Sequence, residues 1–388
     1  MERRFGYRGT GTLRLNLPDP VDVRLIVEAE GVGRDERLYL ATNLNGWNPR
    51  NDRFSLRRVA ANQFELRQFL APGSLFEFKI TRGGWNRVEV AADGGDLPNH
   101  SYRIHESQTI EIKVPDWQDH HPRAPKPHTT VGDVRSLGEF TIPGLNRTRE
   151  VFIYLPPGYD HDLDRRYPVM YMWDGQNLFD QSTAFAGEWQ VDETLERLIP
   201  KGELPPLIVV GINNGGEYRL REQSPWPYLH HDEPAEGAEF VAWVAHDLKK
   251  RIDRGFRTLS DPANTGIGGS SMGGLTSLYA GFRYPDVFGR VMAMSPALWF
   301  GERHIYSFVK KQGKPPHGKV YLDCGRFEGA RRSQLAFLRQ SQHMAQTLRE
   351  LGLRDGHELL WVEDGYGHHS ESDWARRLPG ALRFLFGA

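Results

Sequence analysis

Ser271 lies at the centre of Gly269-Ser270-Ser271-Met272-Gly273. This Gly-x-Ser-x-Gly pattern suits a nucleophile elbow, a sharp strand-to-helix turn in which glycines two before and two after the serine avoid clashes. The flanking residues fit such a turn. Residues 265–268 (TGIG) are small and lead in as a strand, and Leu275–Phe282 (LTSLYAGF) follows as a helix. A serine at a helix N-terminus has free amides and the positive end of the helix dipole beside it, and both favour a developing anion. The chemistry this predicts is attack of the Ser271 hydroxyl on a carbonyl carbon, with Met272 N–H as the first oxyanion donor. A second donor is expected from Asp174, Gly175 or Gln176, on the loop after the apolar run Val169–Trp173.

A hydroxyl of ordinary acidity needs a base, and an acid and a histidine are expected later in the chain, in that order. Downstream of Ser271 stand His304, His317, His343, His357, His368 and His369. His343 falls in the middle of a predicted helix, and His317 and His357 fall in polar turns. His368 and His369 follow a predicted strand in Asp364-Gly365-Tyr366-Gly367-His368-His369, on a loop at the carboxyl end of the sheet, where such sites assemble. Either imidazole can serve, and His368, directly after Gly367, is the first choice. For the acid, the loop residue Glu328 is preferred over Asp323, which sits in the last residues of the preceding strand. No metal or other cofactor is expected. His120, His121 and His128 lack carboxylate or thiolate partners at ligand spacing, and the adjacent His230 and His231 with Asp232 read as a polar loop.

These residues need elements to hold them, and the chain alternates in two styles. Residues 1–115 show period-two stretches around Val23–Val27, Leu38–Leu40, Phe64–Leu70, Leu75–Ile80 and Ile110–Val114. They are separated by turns at Asn45-Gly46, Pro72-Gly73, Gly83-Gly84 and Gly94-Gly95. That is the pattern of an all-β, immunoglobulin-like sandwich. Residues 116–130 (DWQDHHPRAPKPHTT) have little to bury and read as a linker. Residues 131–388 alternate strand and helix. Predicted strands lie near Val151–Leu155, Val169–Trp173, Leu207–Ile212, Val291–Met294, Lys319–Asp323 and Glu358–Glu363. Predicted helices lie over Val191–Ile199, Glu239–Ile252, Ser333–Leu351 and Trp374–Phe386. This predicts an α/β domain with helices on both faces of the sheet. The segment Pro225–Gly237 follows a strand and is a candidate gate near the site.

The 388 residues carry a net charge of -1, which offers no electrostatic case for a nucleic-acid or membrane-surface partner. The lone Cys324 excludes an internal disulfide and leans to the cytoplasm. No apolar stretch reads as a signal or membrane span, so a soluble protein without a targeting segment is expected.

Seven segments in order carry a resemblance: REVFIYLPPGYD (149–160), YPVMYMWDGQNLFD (167–180), EWQVDETLERLI (188–199), YRLREQSPW (218–226), GGSSMGGLTSLYAGFRYPDVFG (268–289), LDCGRFEG (322–329) and GYGHHSESDW (365–374). Residues from about 133 to 385 resemble the Putative esterase family of α/β-hydrolases, which includes enterochelin-type esterases, feruloyl esterases and mycobacterial mycolyltransferases. The resemblance implies an α/β-hydrolase fold, with the family's serine on Ser271, its histidine on His368 and its acid on Glu328. It places Arg219, Glu222 and Trp226 as candidates to line the cleft, with Arg219 and Glu222 also readable as a structural ion pair. It implies hydrolysis of a small-molecule or carbohydrate-linked ester, of feruloyl, acetyl or siderophore type. The alternatives are acyl transfer, or a binding protein with a vestigial hydrolase domain. The first domain resembles early-set starch- and glycogen-binding sandwiches through LYLATNLNGWNP (38–49) and FEFKITRGGWNRVEV (76–90). Trp47 and Lys79 match two sugar-contacting positions. Val90 occupies the third, with Trp85 some residues away, so a docking role competes with sugar binding.

Overall fold

The computed structural model describes residues 19–45, 47–121, 125–227, 234–329 and 334–387. His230, His231, Asp232 and Gly46 lie outside the described residues. The chain divides into two compact units, Met1–Arg123 and Ala124–Ala388.

The first unit is all β. Its strands are β1 (Val21–Ala29), β2 (Leu38–Thr42), β3 (Ser55–Ala60), β4 (Gln63–Leu70), β5 (Ser74–Thr81), β6 (Glu89–Val90), β7 (His100–Ile104), β8 (Gln108–Val114) and β9 (Asp116–Trp117). Seven of them pair in the order β7-β5-β2-β3-β4-β1-β8, and β6 pairs with β9. The period-two signal has a simple cause. Val23, Leu25, Val27 and Ala29 point from β1 into the core that Ile110, Ile112 and Val114 of β8 also enter. The stretch expected to open a linker instead completes this unit. Trp117 is buried in the same core and donates from Nε1 to the Glu30 carbonyl at 2.7 Å.

The second unit continues with β10 (Asp133–Ile142), β11 (Arg147–Leu155), β12 (Val169–Trp173), β13 (Ile208–Ile212), β14 (Thr265–Ser270), β15 (Arg290–Met294), β16 (Lys319–Gly325) and β17 (Leu359–Asp364). Its helices are α1 (Val191–Leu198), α2 (Arg219–Glu222), α3 (Gly237–Trp243), α4 (Lys249–Gly255), α5 (Met272–Arg283), α6 (His304–Gln312), α7 (Gln334–Glu350) and α8 (Glu371–Phe386). The sheet order is β10-β11-β13-β12-β14-β15-β16-β17. The first three strands pair antiparallel and the rest run parallel, so the sheet is mixed. The parallel strands are buried on both faces, which is why they read as short unbroken apolar runs. One apolar layer, including Tyr171, Trp173, Leu275 and Phe240, covers one face of the sheet. A second, including Met170, Met292, Leu378 and Leu382, covers the other.

Part of the expected linker also packs on this unit. Lys126 donates to the Ala184 carbonyl, Thr130 Oγ1 to that of Phe179, and Val131 N–H to Asp192. Among the described residues no helix is long and apolar enough to cross a membrane.

Candidate active site

Ser271 sits between β14 and α5 with φ 54° and ψ -115°, a conformation that costs a non-glycine residue on the order of 1–3 kcal/mol. Surrounding contacts impose it. Ser271 N–H donates to the Met294 carbonyl at 3.0 Å, while its own carbonyl accepts from Leu275 N–H at 3.1 Å and Ala297 N–H at 2.9 Å. The flanking glycines have a steric reason. A Cβ on Gly269 would come within 3.0 Å of Trp173 and 3.3 Å of the Gly273 Cα, and one on Gly273 within 3.2 Å of the Trp173 Cβ. Met272 begins α5, where first-turn amides have no intrahelical acceptor.

The Trp173 to Gln176 corner lies against this turn. Asp174 has left-handed backbone angles and is buried. Burial alone would raise its pKa. The Arg219 charge and hydrogen bonds from Arg219 (2.7 and 2.8 Å), Asn214 (2.6 Å) and Gln223 (3.3 Å) together outweigh that and hold the carboxyl below its usual range. Gly175 leaves no room for a side chain, since a Cβ would reach within 2.7 Å of the Gly211 backbone. Gln176 is tied by its Oε1 to Asn214 N–H at 3.1 Å.

The acid and histidine loops are clamped to each other. Arg326 N–H donates to the Asp364 carbonyl and Phe327 N–H to that of Gly367, both at 2.9 Å. A Cβ on Gly325 would lie 2.4 Å from the Gly367 carbonyl oxygen, so only glycine permits this approach. The clamp delivers Glu328, fully buried, to His369: Oε2 is 3.0 Å from Nδ1. The expected histidine, His368, is not the one that meets Glu328 here. Its ring is exposed and stacks on Phe327 with centroids 5.5 Å apart. The His369 ring is instead held edge-on against Trp374 (4.9 Å) and Phe337 (5.5 Å).

Asp323, the alternative acid, is also fully buried, but its partners are Ser295 N–H (2.9 Å), Tyr321 O–H (2.9 Å) and Arg377 Nε (2.9 Å). Burial pushes its carboxyl up to about 6, against the opposing charge of Arg377. Two residues that no sequence motif signals tie these groups together. Ser295 Oγ donates to Glu328 Oε1 and accepts from Trp374 Nε1 and Arg377, each at 2.9 Å. Arg377 also reaches Asp364 at 3.1 Å. The strand ends are in register, Ser270 beside Met294 and Met294 beside Asp323, so elbow, Ser295 turn and acid loop share the carboxyl edge of the sheet.

The remaining candidates separate. Arg219 and Glu222 do not pair with each other. Arg219 holds Asp174, whereas Glu222 is buried beneath Arg147 (2.7 Å) and Arg149 (3.1 Å) of β11. Trp226 packs among Tyr279, His304 and Phe308 at 5.6–6.3 Å. In the first unit Lys79 is buried on β5 and donates to the Leu97 carbonyl, and burial lowers its pKa. Trp47 and Trp85 are half-buried.

A serine elbow at the carboxyl edge of a mixed α/β sheet marks the chain as an α/β-fold hydrolase. Comparison gives the particular assignment: residues 142–385 match the Putative esterase family, and the chain belongs to it, a carboxylic ester hydrolase. It is 28% identical over 250 residues to the uncharacterized protein YbbA of Bacillus subtilis, covering 62% of this chain and 93% of that protein. It is 28% identical over 214 residues to the iron(III) enterobactin esterase of Dickeya dadantii, covering 52% of this chain but only 45% of that enzyme. The crystal structure of the enterobactin esterase from Shigella flexneri in the presence of enterobactin aligns with a TM-score of 0.53 at 16% identity. That alignment covers 96% of this chain and 94% of the other, a likeness of fold.

Proposed function

We propose that Ser271, His369 and Glu328 form the triad of a serine esterase that works through an acyl-enzyme. The Glu328–His369 hydrogen bond carries this reading, because it occupies Nδ1 and leaves Nε2 as the atom available to a serine. In the proposed cycle Nε2 takes the Ser271 proton as Oγ attacks the ester carbonyl. Met272 N–H and an amide of the Asp174-Gly175-Gln176 corner bind the oxyanion. Imidazolium then protonates the leaving alcohol, and water repeats the sequence to release the acid. Glu328 orients the imidazole and stabilises its charged form without taking the proton.

The names of the relatives favour a siderophore-type ester as substrate, with feruloyl and acetyl esters as the other classes to screen. The β unit is read as an early-set, immunoglobulin-like sandwich. Trp47, Lys79 and Trp85 are its candidate sugar contacts, and the engagement of Lys79 within its own fold favours a docking role.

The decisive experiment is labelling with an aryl organophosphonate. Wild type and Ser270→Ala should be labelled and Ser271→Ala should not. An unlabelled wild type would overturn the serine mechanism, and a screen across the three ester classes, with and without alcohol acceptors, separates hydrolysis from acyl transfer.

A further inference from the structure

Glu188, Asp192 and Glu193 bring one carboxylate oxygen each within 4.8 Å of the others, just before and in the first turn of α1. Glu188 and Asp192 are more than nine-tenths buried. Their other partners are few: Thr129 Oγ1 donates to Glu188 Oε2 and Val131 N–H to Asp192 Oδ2, both at 2.8 Å. Glu188 Oε1, Asp192 Oδ1 and Glu193 Oε2 are buried with no hydrogen-bond donor. Among the described residues no lysine or arginine forms an ion pair with any of the three. Burial pushes the Glu188 and Asp192 carboxyls up, so without a cation they are held partly protonated. Three converging carboxyls, each with an orphaned oxygen and none beside a basic side chain, become compensated as carboxylates when a cation joins them.

We propose that this cluster is a binding site for a calcium ion. The donor set is all oxygen, which suits a hard cation and excludes the softer metals that take nitrogen or sulfur. Calcium holds its oxygens at about 2.3–2.6 Å, so two ligands on one ion lie no more than about 5 Å apart, and the observed spacing meets that limit. Glu188 also lines a cavity of about 630 Å³ with Gly187, Gln190, Thr194 and Glu371, which gives an ion a route in and room for the waters that complete its shell. The site is one residue from Trp189, which packs at 5.7 Å on Trp374, the ring against His369. An ion here would pin the 180–193 segment to Thr129 and Val131 and steady the far side of the histidine.

The test takes the full chain stripped with a chelator and titrated with calcium chloride by calorimetry and thermal melting. One calcium per chain is expected, with a melting rise of about 5 °C at a hundredfold excess over the dissociation constant. Asp192→Asn and Glu193→Gln should each abolish uptake and melt above the stripped wild type, because each removes one uncompensated charge. Should either variant fail to fold, terbium can replace calcium in the wild type. Its emission, excited through the neighbouring indole, should fall in Trp189→Phe while calcium uptake persists. No uptake at about 10 mM, beyond the weakest calcium sites, overturns the proposal. So does unchanged uptake in both carboxamide variants, or binding of magnesium with calcium excluded.

Discussion

Replacing Glu328 by Gln separates the two buried carboxylates by their wiring. Glu328 Oε1 accepts from both Ser295 Oγ and Gly325 N–H, and Oε2 faces His369 Nδ1. A glutamine keeps one acceptor oxygen. Placing its NH2 at the Oε1 position would set it against Gly325 N–H, a fixed donor. The amide oxygen therefore stays at Oε1 and the NH2 turns to His369. Nδ1 must then accept, which moves the ring proton to Nε2, and an imidazole protonated there cannot take the serine proton. In the serine-protease template a wrong tautomer costs about 10⁴ in kcat, or about 5.5 kcal/mol of barrier. Asp323 is wired to Ser295 N–H, Tyr321 and Arg377, and to no histidine. Asp323→Asn should lose less than about tenfold in kcat while destabilising the fold by about 1–3 kcal/mol through mispaired buried groups. The assay is steady-state hydrolysis of a short aryl ester, with a thermal melt for each variant. Glu328→Gln should melt near wild type, with kcat reduced about 10⁴-fold and KM little changed. If Glu328→Gln keeps kcat within tenfold while Asp323→Asn loses a thousandfold, the acid is Asp323 and the reasoning fails.

His369→Ala should lower kcat by at least about 10³, whereas His368→Ala, which removes only an exposed ring stacked on Phe327, should stay within a few-fold of wild type; the reverse ranking in the same assay would return the base to His368. In the β unit, hydrogen bonds from Trp117 N–H, His121 and His120 hold the Asp116 carboxyl down at about 2. A depressed carboxyl adds stability above its unfolded value of 3.8, and that stability disappears as pH falls through about 2. The melting gap between wild type and Asp116→Asn should accordingly be full at about pH 5 and close towards pH 2; a gap independent of pH in scanning calorimetry would count against it.

The elbow was legible because its requirements are local. Two glycines, a serine and a small-residue strand define a turn whose clashes involve only near neighbours and one tryptophan. The buried parallel strands were legible as apolar runs for the same reason. β10 was missed because it is an edge strand with mostly polar, half-exposed faces, so neither the alternating nor the apolar signal is present. α6 was missed because nine residues carry barely two turns of period. The 116–121 stretch reads as a linker because it is polar, with His120 and His121, and runs into prolines at 122, 125 and 127. The contacts of His120 and His121 with Asp116, and the hydrogen bond of buried Trp117 across 87 residues of sequence, have no local signature.

The choice between His368 and His369 shows where the boundary falls. His368 and His369 lie on the loop after β17 and present their rings to different neighbours, Phe327 and Glu328, so one residue of offset decides which meets the acid. That offset is set by contacts from other elements: the Gly325–Gly367 approach, the Phe327–Gly367 hydrogen bond, and the Trp374 ring against His369. Ser295 braces the acid and the ring behind the histidine, its hydroxyl binding Glu328, Trp374 and Arg377 at once. Ser295 lies 24 residues after Ser271 and 33 before Glu328, in a stretch with no motif, and it holds a positive φ of 43° that its neighbours must enforce. The order serine, acid, histidine follows from the topology of the sheet. Which atoms meet depends on a side chain between them that takes no part in the chemistry, and only the folded chain shows it.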